Sequence, residues 1–283
     1  MKVLPFKIPK PDQNAFVYQV DIVPVFFDKL HQHEEIQISL IVEGEGTLIV
    51  GDTVNYYKKN DVLVIGSHLP HVFKSHREVQ QNSHMLTLFF SRQSFGNGFF
   101  DLGELKEVQR FFKRSKHGFK LLSRQQAAKK LFYQFGGASK FNQFILLMQL
   151  LKLFSNANFK SLSSFVYDKS YSDIEGNRMR DVLEFTMDYF DRRITLDDVS
   201  GVANMTKNAF CKYFKRRTNK TYIQFLNELR IEHASKFLLT NDDLTIEEIA
   251  ERCGFGNISN FNRQFKCIKK KTPSAFKKSV SND

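Results

Sequence analysis

The sequence has no tryptophan, only three cysteines and six prolines, and no run of eighteen apolar residues among its 283 positions. Each shortage excludes something. Cys211, Cys253 and Cys267 are odd in number and lack the paired spacing of a metal site. They read as core or helix-face residues in a reducing compartment rather than as a disulfide framework. The best apolar stretch, Phe144 to Phe154, is broken by Gln149 and Lys152, which argues against a membrane span. Met1 to Pro11 is charged and twice interrupted by proline, unlike a secretory leader, so a soluble cytoplasmic protein with no membrane partner is expected. Acid is scarce as well. Thirty Asp and Glu against 42 Lys and Arg leave a net charge of +12, which favours an anionic partner. Phe is abundant at 30 residues and is expected to be the main core filler. The length allows two compact domains and a connector.

One unit occurs twice. Thr195-Leu-Asp-Asp-Val is repeated fifty residues later as Thr245-Ile-Glu-Glu-Ile, Phe214-Lys-Arg-Arg-Thr-Asn-Lys-Thr221 as Phe265-Lys-Cys-Ile-Lys-Lys-Lys-Thr272, and Phe225 as Phe276. Each copy opens with a Thr followed at three residues by Asp198 or Glu248, the spacing of a capping box. A short acidic helix is expected there, then a break at Asn204-Met205 or Gly254-Phe255-Gly256, then a second helix capped by Thr206 or Ser259. The second helices carry Phe210, Tyr213 and Phe214, or Phe261 and Phe265, on one side. Helix, tight turn and basic second helix make a helix-turn-helix. From 204 to 220 the basic residues are Lys207, Lys212, Lys215, Arg216, Arg217 and Lys220. From 258 to 278 they are Arg263, Lys266, Lys269, Lys270, Lys271, Lys277 and Lys278, and neither stretch holds an acid. That segregation is the footprint of a surface that neutralises phosphates.

From about Arg178 to Lys278 these residues resemble the AraC/XylS-type bacterial transcription regulators. Leu229-Arg230, Ala234, Ile249-Ala250, Gly254-Phe255, Phe261, Phe265-Lys266 and Thr272-Pro273 carry the resemblance. Two positions depart from it. Where the family usually has glycine after each recognition helix, this chain has Asn219 and Lys270; the latter is expected to strain the helix end by about 1 kcal/mol. The resemblance implies a sequence-specific regulator binding double-stranded DNA, with RNA polymerase as a further partner if it activates. It places base reading at Lys207, Asn208, Cys211 and Lys212 on the first recognition helix and at Ile258, Ser259, Asn260, Asn262 and Arg263 on the second. Lys and Arg suit guanine acceptors and Asn suits adenine, with Arg263 the strongest candidate. Lys215, Arg216, Lys266 and Lys269 to Lys271 sit nearer the helix ends and are expected to meet phosphates. The joining helix, Tyr222 to Leu239, measures roughly 27 Å at 1.5 Å per residue, enough to bring both recognition helices to successive major grooves.

The first half reads differently. Between Phe16 and Phe90, short runs at Ile36 to Val42, Thr47 to Val50, Thr53 to Tyr57, Asp61 to Ile65 and His84 to Phe90 alternate with Gly and Asp turns. They predict an antiparallel sandwich or small barrel. Within it His31-Gln-His33, Gln37, Gly44, Asn60-Asp61 and Pro70-His71 resemble the two cupin motifs, in which two His, a Glu and a later His hold a metal. Gln37 stands at the Glu position. A neutral amide is a poorer ligand than carboxylate, so His31, His33, Gln37 and His71 are assigned to a small-molecule effector, and neither a metal nor another cofactor is expected.

Leu102 to Phe112, Gln125 to Phe135 and Asn142 to Phe154 have helical spacing, and the last carries a wide apolar stripe. The stripe packs either on the β domain or on a second copy in a homodimer, which the family resemblance favours. The expected fold is therefore α+β and multidomain. A cupin-like β barrel spans 1–95, a helical connector or dimerisation segment 96–160, a linker 161–177, and an all-α domain with two helix-turn-helix units 178–281. A metal-dependent cupin enzyme carrying a DNA-binding domain is the alternative, and a β domain that only assembles the protein is a third reading.

Overall fold

The structure, a computed structural model, describes residues 8, 14–75, 82–166, 173–240 and 243–280. The chain divides into two compact units. One comprises Met1–Gly51 with Asn55–Ser172, the other Asp52–Val54 with Asp173–Asp283.

Among the described residues nine strands form two sheets, almost wholly within the first unit. β1 (Val17–Val23), β2 (Ile36–Glu43), β5 (Val62–Ile65), β7 (Ser83–Phe90), β8 (Phe119–Leu121) and β9 (Phe159–Ser161) make a six-stranded sheet in the order β1-β7-β2-β5-β8-β9. β3 (Gly46–Val50), β4 (Thr53–Tyr57) and β6 (His71–Ser75) make a three-stranded one in the order β4-β3-β6. Every pairing given register is antiparallel. The expected barrel is thus two sheets among the described residues, not one closed ring. β1 and β9 end the larger sheet instead of pairing with each other.

Strands such as β5 are apolar at every position because both faces of the large sheet are covered. Successive side chains point to opposite faces. Ile36, Ile38, Leu40, Val62, Val64, Leu86, Leu88 and Phe90 share a core with three helices, α1 (Gln109–Ser115), α2 (Gln125–Gln134) and α3 (Lys140–Asn156). Leu63, Ile65 and Met85 join Leu48, Val50 and Phe73 in the core between the sheets. The helical face is filled mainly by Phe. Phe111, Phe119, Phe132, Phe135 and Phe154 are fully buried, and Phe100 meets Phe112 edge-on at 4.7 Å between centroids. The apolar stripe of α3 packs on this sheet through Leu147, Leu150, Leu151 and Phe154, while Phe141 and Ile145 stay exposed. The first helical stretch is shorter than its spacing suggests, since Gly103–Val108 is 3-10 helix and α1 starts only at Gln109.

From residue 173 on, the regular elements among the described residues of the second unit are helices, α4 (Asp173–Tyr189), α5 (Leu196–Val202), α6 (Lys207–Thr218), α7 (Tyr222–Thr240), α8 (Ile246–Arg252), α9 (Ile258–Lys269) and α10 (Pro273–Val280). Residues 167–172 of the expected linker lie outside the described residues, and the helix expected from Arg178 begins at Asp173. No helix among the described residues is long and apolar enough to cross a membrane.

Candidate nucleic-acid interface and buried histidine cluster

Both capping boxes form. Thr195 and Thr245 accept from the amides of Asp198 and Glu248, whose carboxylates accept from the Thr amides at 2.8 Å in each case. These hydrogen bonds hold both carboxyls below their usual range. Each pair then turns sharply at a left-handed residue, Asn204 with φ 51° or Gly254 with φ 76°. The second turn requires glycine. A Cβ on Gly254 would lie 2.5 Å from the carbonyl oxygen of Phe190. That carbonyl accepts from Arg230 Nε at 2.8 Å, and Arg192 O accepts from Arg230 Nη2 at 2.6 Å, so one buried guanidinium of α7 ties down the residues that follow α4. Burial lowers the Arg230 pKa. Arg230 entered the sequence reading only as part of a motif; its structural role depends on contacts forty residues away.

The two recognition helices are α6 and α9. Thr206 caps α6 as expected, accepting from the Ala209 amide, but α9 is capped by Asn257, not Ser259. The Asn257 carboxamide accepts from the Asn260 amide at 2.7 Å, so the cap lies two residues earlier. Phe210, Tyr213 and Phe214 face inward, and Phe210 and Phe214 meet Tyr222 and Phe225 of α7. Phe261 and Phe265 share a core with Ile231, Ala234 and Leu238 further along the same helix. α7 is 19 residues long, roughly 28 Å at the α-helical rise, so one rigid rod carries both units.

Of the residues assigned to base reading, Lys207, Asn208, Cys211, Lys212, Ser259, Asn262 and Arg263 are exposed. Asn260 is half-buried, and Ile258 is half-buried against the core of the second unit. Lys207 pairs with Asp197 at 2.9 Å, both in solvent. Arg263 Nη2 donates to Asn260 Oδ1 at 3.0 Å, which orients the guanidinium along the outer face of α9. Lys215, Arg216 and Lys266 are exposed at the helix ends. Lys269 is different. Its ammonium donates to Glu232 Oε1 at 2.7 Å, with the two side chains 17% and 18% exposed, so it is an internal tie between α9 and α7.

The left-handed caps after both recognition helices are present. Asn219 has φ 55° and Lys270 φ 60°, and each amide closes on the carbonyl four residues back, Lys215 O or Lys266 O. The second helix end is therefore closed, not frayed, and Lys270 bears the cost of a conformation that suits glycine.

In the first unit the structure brings His31, His33 and His71 together, with the nitrogens they offer all within 4.8 Å of one another. His31 and His71 pair through their backbones, N–H to O at 3.0 and 2.9 Å, and their rings lie 4.1 Å apart. Each Nδ1 is taken by a nearby carbonyl: Lys29 O at 2.8 Å for His31, Glu35 O at 2.8 Å for His33 and Leu69 O at 2.9 Å for His71. A ring that donates from Nδ1 keeps a lone pair on Nε2. All three are buried, and burial holds His31 down at about 4, His33 below its usual value and His71 well below it. The Glu35 carboxylate, 3.9 Å from His33 Nδ1, therefore faces a neutral ring near pH 7.

Gln37 Oε1 lies 3.3 Å from His33 Nε2, and its Nε2 donates to Ser39 Oγ, which meets Thr87 Oγ1 at 3.1 Å. This polar row runs along the inner faces of β2 and β7. Beside it lies a cavity of about 330 Å³ lined by His31, Gln37, Asp21, Phe26, Met85 and Phe89, among others. The four residues assigned to an effector thus converge. The apolar walls, far apart in sequence, were not identified from it; their signal is the period-2 alternation that aims Met85 and Phe89 the same way.

Residues 199–279 match a family model described as a helix-turn-helix domain. Among proteins similar to this chain, the uncharacterized helix-turn-helix-type transcriptional regulator YdeC of Bacillus subtilis is 26% identical over 263 residues, covering 88% of this chain and 86% of that one. The Msm operon regulatory protein of Streptococcus mutans is 22% identical over 254 residues, 87% and 85% of the two chains. The crystal structure of ToxT from Vibrio cholerae covers 95% of this chain and 99% of its own at 13% identity, with a TM-score of 0.39, too low to bear on the assignment. With a duplicated, capped and cationic helix pair lying inside it, the matched segment is an AraC-type helix-turn-helix, DNA-binding domain, and the chain that carries it is a transcription regulator.

Proposed function

We propose that the chain is a cytoplasmic regulator, not an enzyme, whose first unit is a cupin-like sensor and whose second unit reads an operator with α6 and α9. The observation that carries the reading part is the outward row of Lys207, Asn208, Cys211, Lys212, Asn262 and Arg263, exposed on two helices fixed to one rod and free of acidic neighbours on those helices. Arg263, oriented by Asn260, reads a guanine; Lys215, Arg216 and Lys266 hold phosphates. The cavity beside His31 and Gln37 supports an effector site of small-molecule size. A change in its occupancy shifts the packing of α1 to α3, and the exposed Phe141 and Ile145 support a homodimer through α3. RNA polymerase is a further partner if the regulator activates.

The test is duplex binding by the full chain, on an operator found by genomic footprinting and on random DNA. Arg263→Ala is expected to reduce discrimination at one base position by about 1–3 kcal/mol, and Lys266→Ala to weaken both duplexes alike. Equal losses on both duplexes for both variants would remove the assigned roles.

A further inference from the structure

The helical unit buries a cation that no carboxylate answers. Arg230 is 9% exposed, and its guanidinium is hydrogen-bonded to the main-chain carbonyls of Phe190 and Arg192 through Nε and Nη2. Nη1 has no hydrogen-bond partner among the described residues, and the Phe255 ring centroid lies 5.6 Å from the guanidinium carbon. Burial, which disfavours the charged form, outweighs the opposing pull of Tyr222, Cys253 and Asp191. Arginine at that depth is ordinarily paired, because a buried charge without a partner is costly. Beside it lies a cavity of about 520 Å³, lined by Asp191, Arg193, Arg230, Glu251, Gly254 and Phe255, among others. Asp191, Arg193 and Glu251 are exposed, and none of these three side chains forms a hydrogen bond or ion pair among the described residues.

We propose that this cavity binds a small zwitterion, its carboxylate on Arg230 Nη1 and Arg193 and its ammonium on Asp191 and Glu251, and that occupancy changes how α9 is presented to DNA. The site is separate from the cavity beside His31, and it stands whether or not the first unit senses a ligand.

The charges of the lining select the ligand class. A guanidinium donating to a carboxylate makes a hydrogen bond roughly twice as strong as a neutral pair. A plain anion would share the cavity with two carboxylates, and a plain cation would face the buried guanidinium. One molecule carrying both signs answers both groups. The volume is that of a small-molecule site, and Ile194 and Phe255 give an apolar wall for a short alkyl spacer. The coupling is local. Gly254 and Gly256 belong to the turn that leads into Asn257, the cap of α9. A Cβ on Gly254 would lie 2.9 Å from Arg230 Nη2, so the guanidinium and this turn are already in close contact. A molecule held by Arg230 therefore bears on the backbone that sets where α9 begins.

The experiment is calorimetric titration of the full chain with glycine, γ-aminobutyrate and 6-aminohexanoate, with butyrate, butylamine and inorganic phosphate as controls of one sign. At least one zwitterion is expected to bind once per chain, about tenfold or more tighter than any control. Arg193→Ala and Glu251→Gln, both at exposed positions, are each expected to weaken it about fivefold, the upper range for an exposed ion pair. No saturable uptake of any of the three zwitterions overturns the site. Uptake that both substitutions leave unaltered overturns it as well, since the molecule is then bound elsewhere. Butyrate or phosphate bound as tightly as the zwitterions overturns the ligand class. Anisotropy titrations on duplex DNA, with and without the bound zwitterion, test the second half: Kd is expected to change about fivefold or more, and an unchanged Kd overturns the coupling.

Discussion

The cationic run at 269–271 divides between two tasks, and Lys269→Ala separates them. Lys269 Nζ lies 2.7 Å from Glu232 Oε1 and 6.0 Å from the Phe276 ring centroid, with both charged side chains mostly covered. Two unit charges at that distance attract by about 6 kcal/mol at an effective dielectric near 20. Most of this is offset by the water both groups give up, leaving about 1.5–3 kcal/mol, the range of charge-assisted hydrogen bonds. Removing the lysine strips a partly covered Glu232 of its partner and loosens α9 from α7. The expected loss of stability in the helical unit is about 1–2 kcal/mol, since the residual exposure lets water reach the carboxylate. The slope of log affinity against log salt should not change, because no phosphate contact goes. Lys266→Ala, at an exposed position, should do the reverse: little change in stability and a slope smaller by about one. Urea denaturation and anisotropy titrations at several salt concentrations measure both quantities. A smaller slope with unchanged stability for Lys269→Ala would refute this division.

Two further outcomes follow from local geometry. Lys270→Gly relieves a φ of 60° and should stabilise the helical unit by about 0.5–1 kcal/mol after the greater freedom of unfolded glycine is counted, whereas Asn219→Gly should gain little; thermal melts decide it. The folded pKa values of His31, His33 and His71 lie below the free value of 6.5, so the unfolded chain binds their protons first as pH falls. Stability from the cluster is complete above about pH 6.5 and is lost on acidification. His31 alone accounts for about 3 kcal/mol between pH 6.5 and its folded value near 4. Denaturation midpoints that stay flat from pH 7 to 5 would contradict this.

The second half of the chain was readable because its determinants are local. Thr195 and Thr245 stand three residues from their carboxylates, and Phe210, Phe214, Phe261 and Phe265 repeat with helical spacing, so starts, turns and inward faces are all written in short windows. The missed features are non-local. β8 and β9 have three residues each and exist only because Phe119 and Leu121 complete a sheet whose other strands end thirty residues earlier. β1 and β6 were not marked as strands: the polar inner positions Gln19 and Asp21 line a cavity, and β6 opens on His71, which belongs to the cluster. Asn257 displaced Ser259 as a cap because both suit the position and the sequence does not say which carboxamide or hydroxyl reaches an amide. The pairing of Lys269 with Glu232 spans 37 residues and two helices, so a run of lysines looked uniform when it is not. In the first unit, the convergence of His31, His33, Gln37 and His71 was implied by the resemblance to the cupin motifs, but the Nδ1 anchors were not, since they depend on loop carbonyls at Lys29, Glu35 and Leu69.

Hydroxyl-radical footprinting of the full chain on its operator tests most directly whether α7 holds α6 and α9 for successive major grooves. Two protected tracts on one face of the duplex, about 10–10.5 base pairs apart per bound chain, are predicted. A single tract per chain, or two on opposite faces, would contradict it.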